Sequence, residues 1–252
     1  MASVHASFAH RPLFDWQHDF RTSADAEVRY RAIQAIAALG GEEESLNWLR
    51  QGLDDGDSAI RASAARQLLP RAGAGQRLEQ EQIWASIRIR WEQLLSDDDP
   101  DVRFESARGL LRLDPACQAA TITLLMLLDD DETQPPMLAA ILRALTEVTP
   151  ADVAVAPRWP RYLEHPQAEV REQAARALGT WGRQSVELAT NLILLLDDEE
   201  PFVREEAARS FGHLGVSSSE ILAALTMAAD DEDELVATVA KASLSQLQGA
   251  SR

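Results

Sequence analysis

The chain has 252 residues, 46% of them hydrophobic, which is enough for a large buried core. A net charge of −17 sets it against phosphate backbones and argues against nucleic acid as a partner, and a single cysteine, Cys117, excludes an internal disulfide framework. No apolar run reaches the roughly 20 residues of a membrane-spanning helix, and the first twenty residues lack a signal peptide's apolar core, so a cytoplasmic protein off the membrane is expected.

Residues 1–25 are expected to form an N-terminal cap or a partly flexible segment, with a short helix over Leu13–Phe20. From residue 26 to 252 one phrase keeps returning: an acidic turn, then Val-Arg, then an Ala- and Leu-rich run. It reads Val28-Arg29, Ile60-Arg61, Val102-Arg103, Val170-Arg171 and Val203-Arg204, with Met137 and Val236 in the same place in repeats four and seven. The steps are 32, 42, 35, 33, 33 and 33 residues, the mark of a stacked-repeat protein.

Each repeat predicts two helices. The first helices read Leu13–Phe20, Glu43–Leu53, Glu81–Leu95, Ala116–Leu128, Val153–Leu163, Ser185–Leu196 and Ser219–Ala229. The second read Glu27–Leu39, Ala59–Leu69, Asp101–Leu113, Pro136–Val148, Ala168–Trp181, Phe202–Leu214 and Glu234–Leu247. Pro100, Pro135 and Pro201 stand where a second helix begins, and Gly40, Gly182 and Gly215 where one ends, the last three suiting left-handed caps. The long step places an insertion near residues 71–80, with Arg71-Ala72-Gly73-Ala74-Gly75 as a flexible joint.

Counted from the Val of Val-Arg, offsets zero, four, eight and eleven of the second helices are apolar or small, as in Val203, Ala207, Phe211 and Leu214. At 100° per residue they fall within about 80° of arc, one buried stripe. The first helices are also apolar, as in Leu192-Ile193-Leu194-Leu195-Leu196. A helix pair with this much apolar surface must stack on its neighbours, so the expected fold is all-α: a right-handed α-solenoid of about seven two-helix repeats.

The run Pro201-Phe202-Val203-Arg204-Glu205-Glu206-Ala207-Ala208-Arg209-Ser210-Phe211-Gly212-His213-Leu214-Gly215 resembles the short HEAT-like repeat, the type first described in phycobilisome lyases. Glu169–Gly182 is similar, and the resemblance covers about residues 26–247. Repeat four departs from it at Gln134-Pro135-Pro136-Met137-Leu138, and repeat seven at Val236-Ala237, which suits a terminal capping repeat. The resemblance implies a ladder in which a turn Asp bonds the Arg after Val. It also implies two enzymatic comparisons. Deoxyhypusine hydroxylase binds iron through His-Glu pairs, and no His-Glu pair occurs here. A bilin lyase-like or chromophore-handling subunit remains the alternative function.

Three groups of residues are candidate sites. Twenty of the 41 acids crowd the turns, represented by Asp55, Asp98, Asp130, Asp198 and Asp231. Acids before a helix cap its amides and oppose its positive end. Several per turn exceed that need, and the surplus could form an edge for a basic partner surface. No turn has the Gly and Glu spacing of a calcium loop.

Offset six forms a column of arginines, Arg66, Arg108, Arg143, Arg176 and Arg209, opposite the apolar stripe. Glu172 and Glu205 stand four residues before Arg176 and Arg209, the favoured order for an ion pair. Arg66 and Arg143 have alanine there, and Phe104 lies beside Arg108. The first four repeats thus present the more basic and aromatic part of the concave face. Trp84 and Trp91, on one face of the helix after the insertion, either fill a gap in the stack or form a second, exposed patch.

The N-terminal histidines, His5, His10 and His18, are irregularly spaced, Cys117 has no basic neighbour, and no phosphate loop or nucleophile elbow occurs. No metal, cofactor or catalytic residue is expected. The expected function is a non-catalytic scaffold or adaptor that grips a partner polypeptide on the concave face through Tyr30, Arg66, Phe104, Arg108 and Arg143, extended by Arg176 and Arg209. An acidic partner segment suits that groove, and a basic partner surface suits the acidic edge.

Overall fold

The computed structural model describes residues 8, 10–72, 80–146, 160–181 and 191–249. Among them the regular elements are helices, without strands. The seven second helices of the repeats are α2 (Ala26–Leu39), α4 (Ser58–Leu68), α6 (Pro100–Leu113), α8 (Pro135–Leu145), α10 (Ala168–Trp181), α11 (Pro201–Leu214) and α13 (Glu234–Gly249). The partners before them are α1 (Leu13–Thr22), α3 (Glu42–Gly52), α5 (Glu81–Leu94), α7 (Gln118–Asp129), α9 (Pro160–Leu163) and α12 (Ser219–Ala228), with a 3-10 turn at Leu195–Asp197 closing the first helix of repeat six. Most of the Gly-containing joint in the insertion, the start of the first helix in repeats five and six, and Gly182 lie outside the described residues. No helix among the described residues is long and apolar enough to cross a membrane.

The helix starts follow the sequence chemistry. Asp25, Asp57, Asp99 and Asp233 accept backbone N–H groups of the first turn of α2, α4, α6 and α13. Pro100, Pro135 and Pro201 take the first helical positions, where a missing N–H costs nothing. Gly215 ends α11 in the left-handed conformation, at φ 64°. Gly40 does not: its φ is −73°, an extended conformation. Glycine is required there for space, because a Cβ would sit 2.5 Å from Ser45 Oγ and 2.8 Å from the Ile36 carbonyl.

The chain divides into two compact units, Met1–Leu127 and Leu128–Arg252. In the first, α1 packs on α2, and the second helices α2, α4 and α6 pack in succession, with α3 and α5 laid against α4 and α6. Trp16 and Phe20 of α1 are buried where this helix packs on α2. Ile60, Ala64, Leu68, Val102 and Leu110 form the buried stripe expected of the repeat. Trp91 of α5 lies flat in the space left by Gly109 of α6, where a Cβ would come within 2.7 Å of the indole.

In the second unit α8, α10, α11 and α13 pack in succession, and α12 lies against α13. Val170, Ala174, Leu178, Val203, Ala207 and Phe211 are wholly buried. Close helix approach rests on a Gly–Ser contact that repeats. Ser210 faces Gly179 and donates to the Ala175 carbonyl at 2.8 Å. Ser243 faces Gly212 and donates to the Ala208 carbonyl at 2.8 Å. Each hydroxyl is satisfied by the neighbouring repeat, so the small buried polar group carries no desolvation penalty.

Candidate functional site

The Arg after Val builds a ladder within each unit. In the first, Arg29 grips Asp55 with Nε and Nη2 at 2.9 and 2.8 Å, and Arg61 grips Asp97 at the same two distances. In the second, Arg171 grips Asp198 at 2.7 and 2.8 Å, and Arg204 grips Asp231 at 2.8 and 2.9 Å. Nη1 of each Arg donates to carbonyls of its own preceding turn. Each Asp also accepts the backbone N–H two residues on. Burial pushes the Asp55 carboxyl up, but the Arg29 fork and the Asp57 amide outweigh it and hold the group below the ordinary carboxylate range. Asp97 is lowered in the same way by Arg61 and the Asp99 amide. The Arg204 hydrogen bond dominates at Asp231 and lowers it against burial.

This ladder corrects the expected acidic edge. Asp55, Asp198 and Asp231 are not presented to a partner, because their carboxylates are enclosed by guanidinium and amide donors. In the third repeat the ladder takes Asp97, while Asp98 stays exposed and lends its carbonyl to Arg103. Asp130 is exposed and caps the Glu132 amide.

The arginine column is organised by two acids beside it, Glu105 and Glu206, whose burial the sequence did not reveal. In the first unit Glu105, whose side chain is 3% exposed, accepts Arg66 Nε at 2.6 Å and Arg108 Nη1 at 3.1 Å. The arginines remain 55% and 40% exposed. Phe104 lies under Arg108, its ring centroid 5.3 Å from the guanidinium carbon, and is itself buried. It is therefore a support for Arg108 rather than a contact residue. Tyr30 is half-buried.

In the second unit Glu206 plays the part of Glu105, accepting Arg176 Nη2 at 3.1 Å and Arg209 Nη1 at 2.8 Å. Glu172 takes Arg176 at 2.6 Å, and Glu205 takes Arg209, as the four-residue spacing predicts. Arg143 is exposed and makes no ion pair among the described residues. Glu105 and Glu206 stand at offset three, about 60° outside the offset-zero edge of the buried stripe. An acid at the flank of an apolar stripe was the one signal that could have revealed them.

Trp84 and Trp91 are both buried, with ring centroids 6.3 Å apart. They are core residues, so of the two alternatives the exposed patch is not formed; Trp91 fills the space against Gly109. Among the described residues no cluster of His, Cys, Asp and Glu could hold a metal; His5 lies outside them.

The family model for HEAT repeats matches residues 18–76 and 155–245. The chain belongs to the HEAT-repeat family. Solved structures agree on the fold. An engineered protein is 21% identical with a TM-score of 0.59, over 92% of this chain and 68% of that one. The HEAT-like repeats protein of the archaeon Thermococcus onnurineus NA1 is 12% identical with a TM-score of 0.58, over 95% and 98%. The complex of CpcE and CpcF of phycocyanin lyase from Nostoc sp. PCC7120 is 21% identical with a TM-score of 0.51, over 94% and 95%. No curated protein matches the chain. HEAT repeats generally serve protein–protein interaction, and the ladder and Gly–Ser contacts here are the means by which these repeats stack.

Proposed function

We propose that the protein is a non-catalytic scaffold that holds an acidic polypeptide segment on the second-helix face of its first unit, with Arg66 and Arg108 as the charged contacts and Tyr30 as the apolar one. One observation carries the reading. Glu105 holds both guanidiniums through one nitrogen of each, and among the described residues their other N–H groups stay open on a half-exposed surface. An Arg held in place loses less side-chain freedom on binding and offers a carboxylate two parallel bonds. In this reading α1 is an N-terminal cap and the protein is cytoplasmic, without nucleic acid, membrane or cofactor as a partner. Arg143, Arg176 and Arg209 belong to the second unit, where Arg143 alone of the three has no carboxylate beside it among the described residues.

The test is fluorescence anisotropy with a labelled Glu- and Leu-containing peptide. Arg66→Gln with Arg108→Gln and Glu105→Gln removes the charges together, so that no buried carboxylate is stranded. Binding should weaken by about 10-fold or more, the loss of roughly 1.4 kcal/mol. Arg176→Gln with Arg209→Gln should change it little. A wild-type chain that ignores the peptide sinks the reading. Colour acquired on coexpression with a bilin source would replace it with the chromophore-handling alternative.

A further inference from the structure

The last two repeats expose apolar side chains that the core pattern does not require. Leu194 is 67% exposed and Met227 79%. They hold the same place in successive first helices, as the buried pairs Leu192 with Leu225 and Leu195 with Ala228 around them show. Phe202 and the 59% exposed Leu235 form a second such pair at the starts of α11 and α13. The turn at Leu195–Asp197 packs on α12, and α11 packs on α13, so the members of each pair stand about 10 Å apart. In the repeat before, Arg161 and Glu169 take these places, and Met126, 69% exposed, holds the Leu194 place in α7; among the described residues, only the last two repeats carry large exposed apolar side chains at both places.

An acidic turn lies between the apolar positions of each repeat. Asp198 and Asp231 are spent on the ladder, and Asp233 caps α13. Asp197, Glu199, Asp230 and Glu232 remain exposed, with only a 3.4 Å approach of Arg171 to Glu199. Apolar contact and negative charge therefore alternate along one edge of two adjacent repeats.

We propose that this edge docks an amphipathic helix rich in Lys or Arg from a partner protein. Its cationic side chains meet the exposed acids, and its apolar side chains meet Leu194 and Met227. Residues seven apart on a helix are about 10.5 Å apart along its axis, which matches the spacing of about 10 Å between successive repeats. The partner helix is expected to carry apolar residues at i and i+7. The edge belongs to the second unit, so the proposal does not depend on Arg66 and Arg108.

The full chain is titrated with a fluorescent leucine–lysine helical peptide of about 14 residues, two heptads, and with a shuffled peptide of the same composition, both at physiological salt. The helical peptide is expected to bind about 10-fold tighter or more, because only it aligns its apolar residues. Leu194→Ser with Met227→Ser should erase that preference and leave the thermal midpoint unchanged, since both side chains are exposed. Equal binding of the two peptides would reduce the edge to unspecific charge and overturn the proposal, and so would a preference that survives the double variant. A dimer in sedimentation that the double variant dissolves would assign the edge to a second copy of the chain instead.

Discussion

The two units carry the same Arg–Glu–Arg arrangement with opposite balance. In the first, two arginines share one buried acid, Glu105; in the second, two arginines share Glu206 and each has a further acid, Glu172 or Glu205. The surrounding composition leans the same way. Residues 1–127 contain 14 basic and 19 acidic side chains, and residues 128–252 contain 10 and 22. The repeat geometry is shared, so the difference lies in a few side chains at offsets two and three. The lesson is that in a stacked-repeat protein the fold supplies positions, and single substitutions within the repeat decide which positions are open to a partner.

The largest effect that separates the units should come from packing. Trp91→Ala opens a cavity in the first unit beside Gly109, at a cost of about 3–5 kcal/mol, which denaturant unfolding would read. If the two units unfold independently, only one transition should move; a single shifted transition would show that they unfold together.

The ladder gives a second, smaller contrast through pH. The lowered carboxyls of Asp55 and Asp97 belong to the first unit, and that of Asp231 to the second. Each binds a proton less readily folded than unfolded. Its stabilisation is therefore complete above the ordinary carboxylate value of about 4 and is lost as pH falls below it. Asp55→Asn should cost roughly 2 kcal/mol at neutral pH and make the acid limb shallower. An unchanged limb would mean that the Arg29 fork adds nothing to stability.

The smallest change would convert one unit into the other. Glu172→Gln with Glu205→Gln leaves two arginines on one buried acid, as in the first unit, at a cost of about 0.5 kcal/mol for each lost surface pair. The double variant should gain a binding site for the acidic peptide that survives removal of Arg66 and Arg108. No gain would mean that Tyr30 or the Phe104 support, which the second unit lacks, matters more than charge.

The helices, their caps and the buried stripe were legible in the sequence because each depends on residues within a turn or two of each other. Pro201 and Gly215 bound α11 where their backbone preferences place them. The ladder was legible through the family resemblance, but the choice of Asp97 over Asp98 was not, since adjacent acids in one turn look alike until the next Arg arrives. The place of Glu105 and Glu206 beside the arginines was legible, but their burial was not, because a glutamate on that side of a helical wheel counts as surface. Each is buried only because an arginine one repeat earlier, 39 or 30 residues away, covers it. Trp84 and Trp91 were placed on one face of their helix, but only the packing of that face, with Trp91 over Gly109, decided that it was inside.

By itself, then, the sequence determined a HEAT-repeat chain of paired helices with acidic turns and a column of arginines. Tertiary structure alone decided which acids are spent on arginines, which arginines keep open N–H groups, and which apolar side chains remain outside. The reason is distance along the chain. Local propensity and periodicity act over a few residues, whereas the charge and exposure of a side chain are set by neighbours some 30 residues away on the next repeat.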